Sequence, residues 1–379
     1  MMPHKAPQGF RFRIRQLFKM VLQNWLLPSV YAFWRTVYNR RVPDFIVLAD
    51  SHHDSLPYSM ENLYTELVRR GYDPILDISD YGKLSAFRSS LRAIRFMKLY
   101  AQARYVFLCD NFLPVVSCRK RPETTVVQLW HSCGLLKKIG YDTTEDIPAG
   151  YRGSVYRNYD LVTVSAPSCV TPFARCMRLP ESVVKPLGIS RTDNYFSESW
   201  IRSCREEFYH QYPQAAGKRI VIWAPTFRGN AADPYLVGTE AIQSLAQEFS
   251  EDWFFLIKVH PHIDRKQQLS NCSIPTERLF PVADLLITDY SSTVCEFMMF
   301  RKPYVLFAPD LEEFRRLRGF HVPYESLSPY IATDAAELKR CVLAASRDKT
   351  PNWIDPLCNY HNGSCDGHST QRLLDHLEL

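Results

Sequence analysis

The feature that most restricts this fold is an alternation, twice over, of short near-continuous apolar runs with longer stretches of helical periodicity. The first series places apolar runs at 45–50, 74–78, 104–110, 125–131 and 161–165, with a helix over Met60–Arg70 that ends near Gly71. A polar stretch near residue 190 interrupts it. The second series predicts a helix over 198–211, a run at 219–225, a helix over 239–249, runs at 254–261 and 284–289, a helix from Ser291 and a run at 304–309. Strands that are apolar on both faces are those covered by helices on both sides. Strands alternating with helices imply parallel sheets built from βαβ units. The expected fold class is therefore α/β, with two Rossmann-like domains facing a cleft. The predicted units are an arm over 1–42, a first domain over 43–190, a second over 191–345 and a helical tail over 346–379 that packs back on the first. With 46% hydrophobic residues in 379, the chain has ample material for such cores.

Charge singles out the arm. The net charge is +6, and residues 1–41 carry eight Lys or Arg and no Asp or Glu, so the remainder is nearly balanced. This distribution excludes a general nucleic-acid-binding surface. The arm interleaves these charges with Phe, Leu and Trp. Its longest uncharged run, Met20 to Trp34, is 15 residues and includes Gln23, Asn24 and Pro28. A spanning helix needs about 20 mostly apolar residues, so the arm is expected to lie amphipathically on an anionic membrane surface, with packing on its own domain as the alternative. Eleven cysteines without a C-x-x-C pair read as buried reduced thiols and give no metal site.

Several strand ends carry chemistry. In open α/β sheets ligands bind beyond the carboxyl ends of the strands. The run 125–131 ends in His131, an imidazole suited to taking a proton from a hydroxyl, followed by Lys137 and Lys138, which suit an anion. The run 254–261 delivers Lys258 and His260 to one side of a strand. The run 284–289 delivers Asp289, then Ser291, Ser292 and Thr293 at a predicted helix start, with Glu296 one turn inside. Hydroxyls and free amides there suit phosphate, and an ordinary helix cap is the plainer alternative. Thr226 and Arg228 follow the run 219–225, Asp310 and Arg318 follow 304–309, and Arg191 lies in the candidate hinge 188–193. His52-His53-Asp54 reads as a surface loop. A Walker motif, a G-x-G-x-x-G after the first strand and a kinase catalytic loop are all lacking.

These segments resemble, in order and spacing over about 125–375, the CDP-glycerol glycerophosphotransferase family of teichoic-acid-type primases and polymerases. The resemblance rests on Trp130-His131 with Gly134, Lys137 and Gly140; on Trp223 to Arg228; on His260-Pro261; on Thr288 to Ser292; on Asp310 to Phe314 with Arg318-Gly319-Phe320; and on Asp366-Gly367 with Arg372. Ser132-Cys133 departs from the family's Gly-Thr. The resemblance implies a GT-B-like fold and peripheral, monotopic association with the cytoplasmic membrane face. It implies no cofactor or metal, CDP-glycerol or CDP-ribitol as donor, and a lipid-linked or glycan acceptor. His131, His260 and Asp289 become the expected catalytic residues. Lys137, Lys138, Arg191, Thr226, Arg228, Lys258, Ser291, Ser292, Thr293, Glu296, Asp310 and Arg318 become the expected substrate ligands. Glycerol phosphate transfer with CMP release is the expected reaction. Ribitol phosphate transfer, glycosyl transfer from a nucleotide sugar, and a non-enzymatic scaffold are the alternatives.

Overall fold

The computed structural model describes residues 20–39, 45–147, 151, 153–230, 233–259, 269–348 and 351–379. The alternation resolves into two parallel sheets. Strands β1 (Ile46–Asp50), β2 (Ile75–Ile78), β3 (Tyr105–Leu108), β4 (Thr125–Gln128), β5 (Leu161–Thr163) and β6 (Val184–Lys185) run in the order β2-β1-β3-β4-β5-β6. Strand β7 (Arg219–Ala224) is followed by an antiparallel hairpin, β8 (Arg228–Asn230) and β9 (Asp233–Tyr235). Strands β10 (Trp253–Ile257), β11 (Leu285–Thr288), β12 (Tyr304–Phe307) and β13 (Ile331–Ala332) then join β7 in the order β10-β7-β11-β12-β13. In register, Leu48 faces Phe107, and Ile287 faces Trp223. The residues of β1, β3, β11 and β12 are buried throughout, which is why they read as unbroken apolar runs. In each sheet the chain reverses its direction of strand addition beside the first strand, between β1 and β3 and between β7 and β11. These are the switch points where an open sheet leaves a crevice.

Local boundaries differ from the sequence reading for definable reasons. Strand β4 stops at Gln128 rather than 131. Trp130 takes φ +60°, and its amide donates to Gln128 Oε1 (3.0 Å), which turns the chain off the sheet. The helix expected from Ser291 begins at Thr293. Strands β6 and β13, each two residues long, and the long helix Ala86–Tyr100 were not anticipated individually.

Of the arm, the described part is helical from Met20. A π-turn at Leu22–Leu26 precedes the helix Leu27–Val37, and the Leu27 amide donates to Leu22 O. The widened turn accommodates Pro28, which has no amide to give. Leu27 and Tyr31 are buried, and Arg121 donates its amide to Tyr31 Oη (2.9 Å). Trp25 and Phe33 point outward, 74% and 59% exposed. The alternative of packing on its own domain thus describes one face of this helix, and the open face mixes Trp25, Leu26 and Phe33 with Asn24, Ser29 and Arg35. No helix among the described residues is long and apolar enough to cross a membrane.

The two sheets are tied together. The loop after β4 meets the segment after the helix Leu311–Leu317 in a short antiparallel bridge, Lys137 opposite Phe320, with Lys138 N donating to Gly319 O (3.1 Å) and His321 N to Leu136 O (2.7 Å). At the chain's end, the helix Ser369–His376 packs Leu373 and Leu374 onto Ile46, Leu63 and Leu67 of the first half. Asp193 holds the start of that helix: its carboxylate accepts from Ser369 N, Thr370 N (both 2.8 Å) and Thr370 Oγ1 (2.7 Å). An N-terminal carboxylate cap contributes about 1–2 kcal/mol. Asp193→Ala is expected to lower the unfolding free energy by about that amount in urea titrations. An unchanged midpoint would show that this cap does not hold the terminal helix.

Candidate active site

His131 stands at the carboxyl edge of the first sheet. Its Nδ1 lies 3.1 Å from Cys109 O. A carbonyl can only accept, so Nδ1 carries the proton and the Nε2 lone pair is left for chemistry. Trp130 stacks on the imidazole with centroids 4.8 Å apart, and the side chain is 44% exposed. The loop behind it is firmly held. Gly134 N donates to Ser165 Oγ (2.7 Å), and Ser165 donates to His361 O (2.6 Å). Gly134 takes φ +64°, and a Cβ there would meet Cys295 Sγ at 2.6 Å, so glycine is required. Cys133 is fully buried, so its part of the departure from the family pattern lies in the core, while Ser132 beside it is partly exposed.

The His52-His53 loop is more than the surface loop read from sequence. Buried Asp50, at the end of β1, accepts from the amides of His52 and His53 (2.8 Å each) and from His53 Nδ1 (2.9 Å). Burial alone would raise the Asp50 carboxyl, but these donors hold it far below the usual carboxylate range. The same carboxylate draws both imidazoles above their ordinary value, against the effect of burial. Asp110, beyond β3, reaches toward both His131 and His52. Its Oδ2 lies 3.7 Å from His131 Nδ1 and 4.0 Å from His52 Nδ1. Asp50 and Asp110 were missed in the sequence, although three adjacent strands each finish on an acid or a histidine.

At the second sheet, two of the expected ligands, Arg228 and Asp310, and the expected catalytic Asp289 have turned to one another. The Arg228 guanidinium makes a fork with Asp310 (2.6 and 2.9 Å), pairs with Asp289 (3.0 Å) and lies over the Tyr290 ring. Asp289 also accepts from Thr226 N (2.8 Å), and Tyr290 Oη donates to Asp310 (3.0 Å). Burial would raise the Asp310 carboxyl, but Arg228 holds it below its ordinary value. Asp289 is thus a buried ion-pair partner, a poor position for a base. Glu296 points inward as well. It pairs with Arg191 (3.1 Å) and accepts from Tyr195 Oη, and burial raises its carboxyl. Arg191 also donates to His131 O (2.9 Å), so the residue expected in the hinge bolts the two halves together behind the histidine.

The other expected ligands differ in how far they are committed. Lys137 is half-buried, and no hydrogen bond or ion pair of its ammonium is seen among the described residues. Burial, reinforced by Arg318, lowers it to about 8. Asp289, Asp146 and Arg228 are its other charged neighbours. Ser291 Oγ lies 2.7 Å from Thr293 Oγ1 and accepts from Thr293 N (3.3 Å), while Ser292 occupies the cap position with no side-chain bond. Arg318 donates to Lys138 O (3.0 Å) and pairs with Asp146, and Lys258 Nζ donates to Cys272 O (2.7 Å). His260 lies outside the described residues. No group of three His, Cys, Asp or Glu among the described residues is placed to hold a metal.

Comparison with known proteins follows the same lines. A profile of the family described as CDP-glycerol:poly(glycerophosphate) glycerophosphotransferase matches residues 42–379. The chain is 30% identical over 357 residues to a teichoic acid ribitol-phosphate primase of Bacillus spizizenii, covering 88% of this chain and 90% of that one. It is 26% identical over 351 residues to a teichoic acid glycerol-phosphate primase of Bacillus subtilis, covering 88% of each. In fold it is similar to the wall teichoic acid polymerase TagF, with a TM-score of 0.73, 17% identity and 97% of both chains covered.

The Asp50 cluster gives a pH test. A histidine raised on folding lends stability that is complete below about pH 6.5, its unfolded value, and is lost as pH climbs through the raised folded value. The unfolding free energy is therefore expected to decline as pH rises from about 6.5. In Asp50→Asn the decline in this window should flatten. Parallel pH profiles for the two proteins, measured by chemical denaturation, would contradict the assigned pairing.

Proposed function

The chain belongs to the CDP-glycerol:poly(glycerophosphate) glycerophosphotransferase family, and from that membership we propose that it transfers a polyol phosphate from a CDP-polyol to a hydroxyl of a lipid-linked or glycan acceptor, releasing CMP. The product would be a teichoic-acid-like or capsular cell-surface polymer. The observation that carries this reading is His131, its Nδ1 proton committed to Cys109 O, on the same loop as Lys137, whose ammonium has no partner among the described residues. We read the two halves as Rossmann-like domains of a GT-B-like enzyme, the first receiving the acceptor and the second the donor.

In this mechanism His131 Nε2 takes the proton of the acceptor hydroxyl. The oxygen attacks the β-phosphorus that bears the polyol, a new P–O bond forms, and the bond to CMP breaks with its electron pair on the leaving phosphate. Catalysis of this kind is mostly positioning and charge stabilisation. Lys137 with the hydroxyls of Ser291, Ser292 and Thr293 would meet the charge on the pyrophosphate. We assign no cofactor or metal to the step. The Arg228–Asp289–Asp310 group acts as scaffold beneath the donor, and His260 stays assigned to the phosphate on the family resemblance alone.

For the donor polyol we favour ribitol, because the relative at 30% identity is a ribitol-phosphate enzyme and the glycerol-phosphate primase stands at 26%. Glycerol, expected from sequence, is the second reading. Incubation with CDP-ribitol, CDP-glycerol and sugar nucleotides, with product mass spectrometry, is expected to show CMP release from a CDP-polyol. His131→Ala is expected to slow that release by ~10²–10⁴-fold with little change in donor affinity. Turnover of sugar nucleotides alone would exclude the reaction, and a His131→Ala enzyme of near-normal rate would exclude the base.

We place the protein on the cytoplasmic face of the membrane as a peripheral component. The support is the basic sequence ahead of residue 20 and the outward Trp25 and Phe33. Basic residues near an anionic surface each contribute about 1 kcal/mol. Because Leu27 and Tyr31 belong to the core, the informative change removes residues 1–19 and replaces Trp25 and Phe33 by Ser. This protein is expected to stay in the supernatant with phosphatidylglycerol liposomes that sediment the full chain. Equal sedimentation would remove the arm as anchor.

A further inference from the structure

Beyond the base itself, the carboxyl edge of the first sheet holds a carboxylate set between two imidazoles. Asp110 Oδ2 lies 3.7 Å from His131 Nδ1 and 4.0 Å from His52 Nδ1. The arrangement is built from three strand ends. His131 follows β4, Asp110 follows β3, and His52 follows β1, so it straddles the switch point of the sheet. Each member is pinned from behind. His131 is fixed by Cys109 O and by Trp130, and Asp110 Oδ1 accepts from Asn111 N (2.6 Å). His52 gives its amide to Asp50, which also holds His53. The imidazoles of His52 and His131 are 48% and 44% exposed, so both reach the crevice.

The geometry points to Asp110 as the positioning carboxylate of His131, with His52 as a competing partner that tempers it. This rests on the reading of His131 as the base. When His131 takes the acceptor's proton on Nε2, positive charge develops on the ring and Nδ1–H stays with Cys109 O. The carboxylate 3.7 Å from Nδ1 stabilises that imidazolium. It need not accept the proton. His52 draws on the same carboxylate oxygen, and whenever it is charged it weakens the field that Asp110 exerts on His131. Asp50 works through His52, because its negative charge favours the charged imidazole there. The other groups around His131 act more evenly. Arg191 sits on its carbonyl and is neutralised by Glu296, His53 is committed to Asp50, and the Cys109 thiol is kept uncharged by burial.

The two neighbours of His131 should therefore act with opposite sign. Removing the Asp110 charge makes protonation of His131 harder. Removing His52 makes it easier, because the carboxylate is left to His131 alone. The test is side-chain 1H–15N NMR titration of His131 in the full chain, free of nucleotide, in Asp110→Asn and His52→Gln. At these distances, with partial exposure, the midpoint is expected to fall by about 0.5–1 pH unit in Asp110→Asn and to rise by a similar amount in His52→Gln. A purely structural role for either residue would not produce opposite shifts. A midpoint that stays put in either variant, or moves the same way in both, overturns the proposal. Since the titration needs no substrate, failure to turn over any CDP-polyol would remove the proposed reaction without touching this result. An unmoved titration would remove the positioning role and leave the reaction standing.

Discussion

A buried ion pair, Arg191 to Glu296, is the interaction on which the rest of the site depends. Glu296 lies inside the second half on the helix that follows β11. Arg191 lies in the segment joining the halves, and its guanidinium spans Glu296 Oε2 at 3.1 Å and His131 O at 2.9 Å. A buried carboxylate without its partner leaves an uncompensated charge, so the pair holds its geometry firmly even where its net contribution to stability is small. Through it the position of His131 is set by residues of both sheets. The antiparallel bridge of Lys137 and Phe320 repeats the connection on the other side of the loop. The segment that the sequence suggests as a hinge is therefore, in this conformation, a point of attachment.

The carboxyl edges of the two sheets differ in kind. The first sheet presents a compact set of acids and imidazoles, Asp50, His52, His53, Asp110 and His131, whose protons are shared over short distances. The second presents a buried group in which the one guanidinium of Arg228 is committed to two carboxylates, Asp289 and Asp310, and beside it the hydroxyls of Ser291 to Thr293. Lys137, from the first half, contributes an ammonium without a partner among the described residues, influenced by the charges of Arg318, Asp289 and Asp146. Proton handling on one side and phosphate charge on the other is the division that hydroxyl attack on a pyrophosphate requires.

Much of this was legible in the sequence, and the remainder was not for physical reasons. The strands β1, β3, β7, β11 and β12 announced themselves because full burial leaves unbroken apolar runs. Strands β6 and β13 are two residues long and show no period to read. The helix Glu198–Gln211 was placed correctly to the residue. The sequence pointed to Arg228 and Asp310 as ligands and to Asp289 as catalytic, each singly. That they pair with one another depends on β7, β11 and β12 being neighbours, which follows from strand order and not from local pattern. Asp50 and Asp110 were overlooked because a lone acid at a strand end looks ordinary until the neighbouring strand ends are known. At the Ser132-Cys133 departure from the family's Gly-Thr, burial shows that Cys133 faces the core.

The central claim is that one crevice, joined by Arg191 and Glu296, holds both the base and the donor. A crystal structure of the protein soaked with CDP-ribitol tests it most directly. The account predicts the pyrophosphate in contact with Lys137 Nζ and the hydroxyls of residues 291–293, with the polyol phosphate turned toward His131 Nε2. Nucleotide density at the opposite end of the second sheet, in the cavity of about 280 Å³ lined by Arg219, Trp253 and Arg301, with the crevice beside His131 empty, would contradict it.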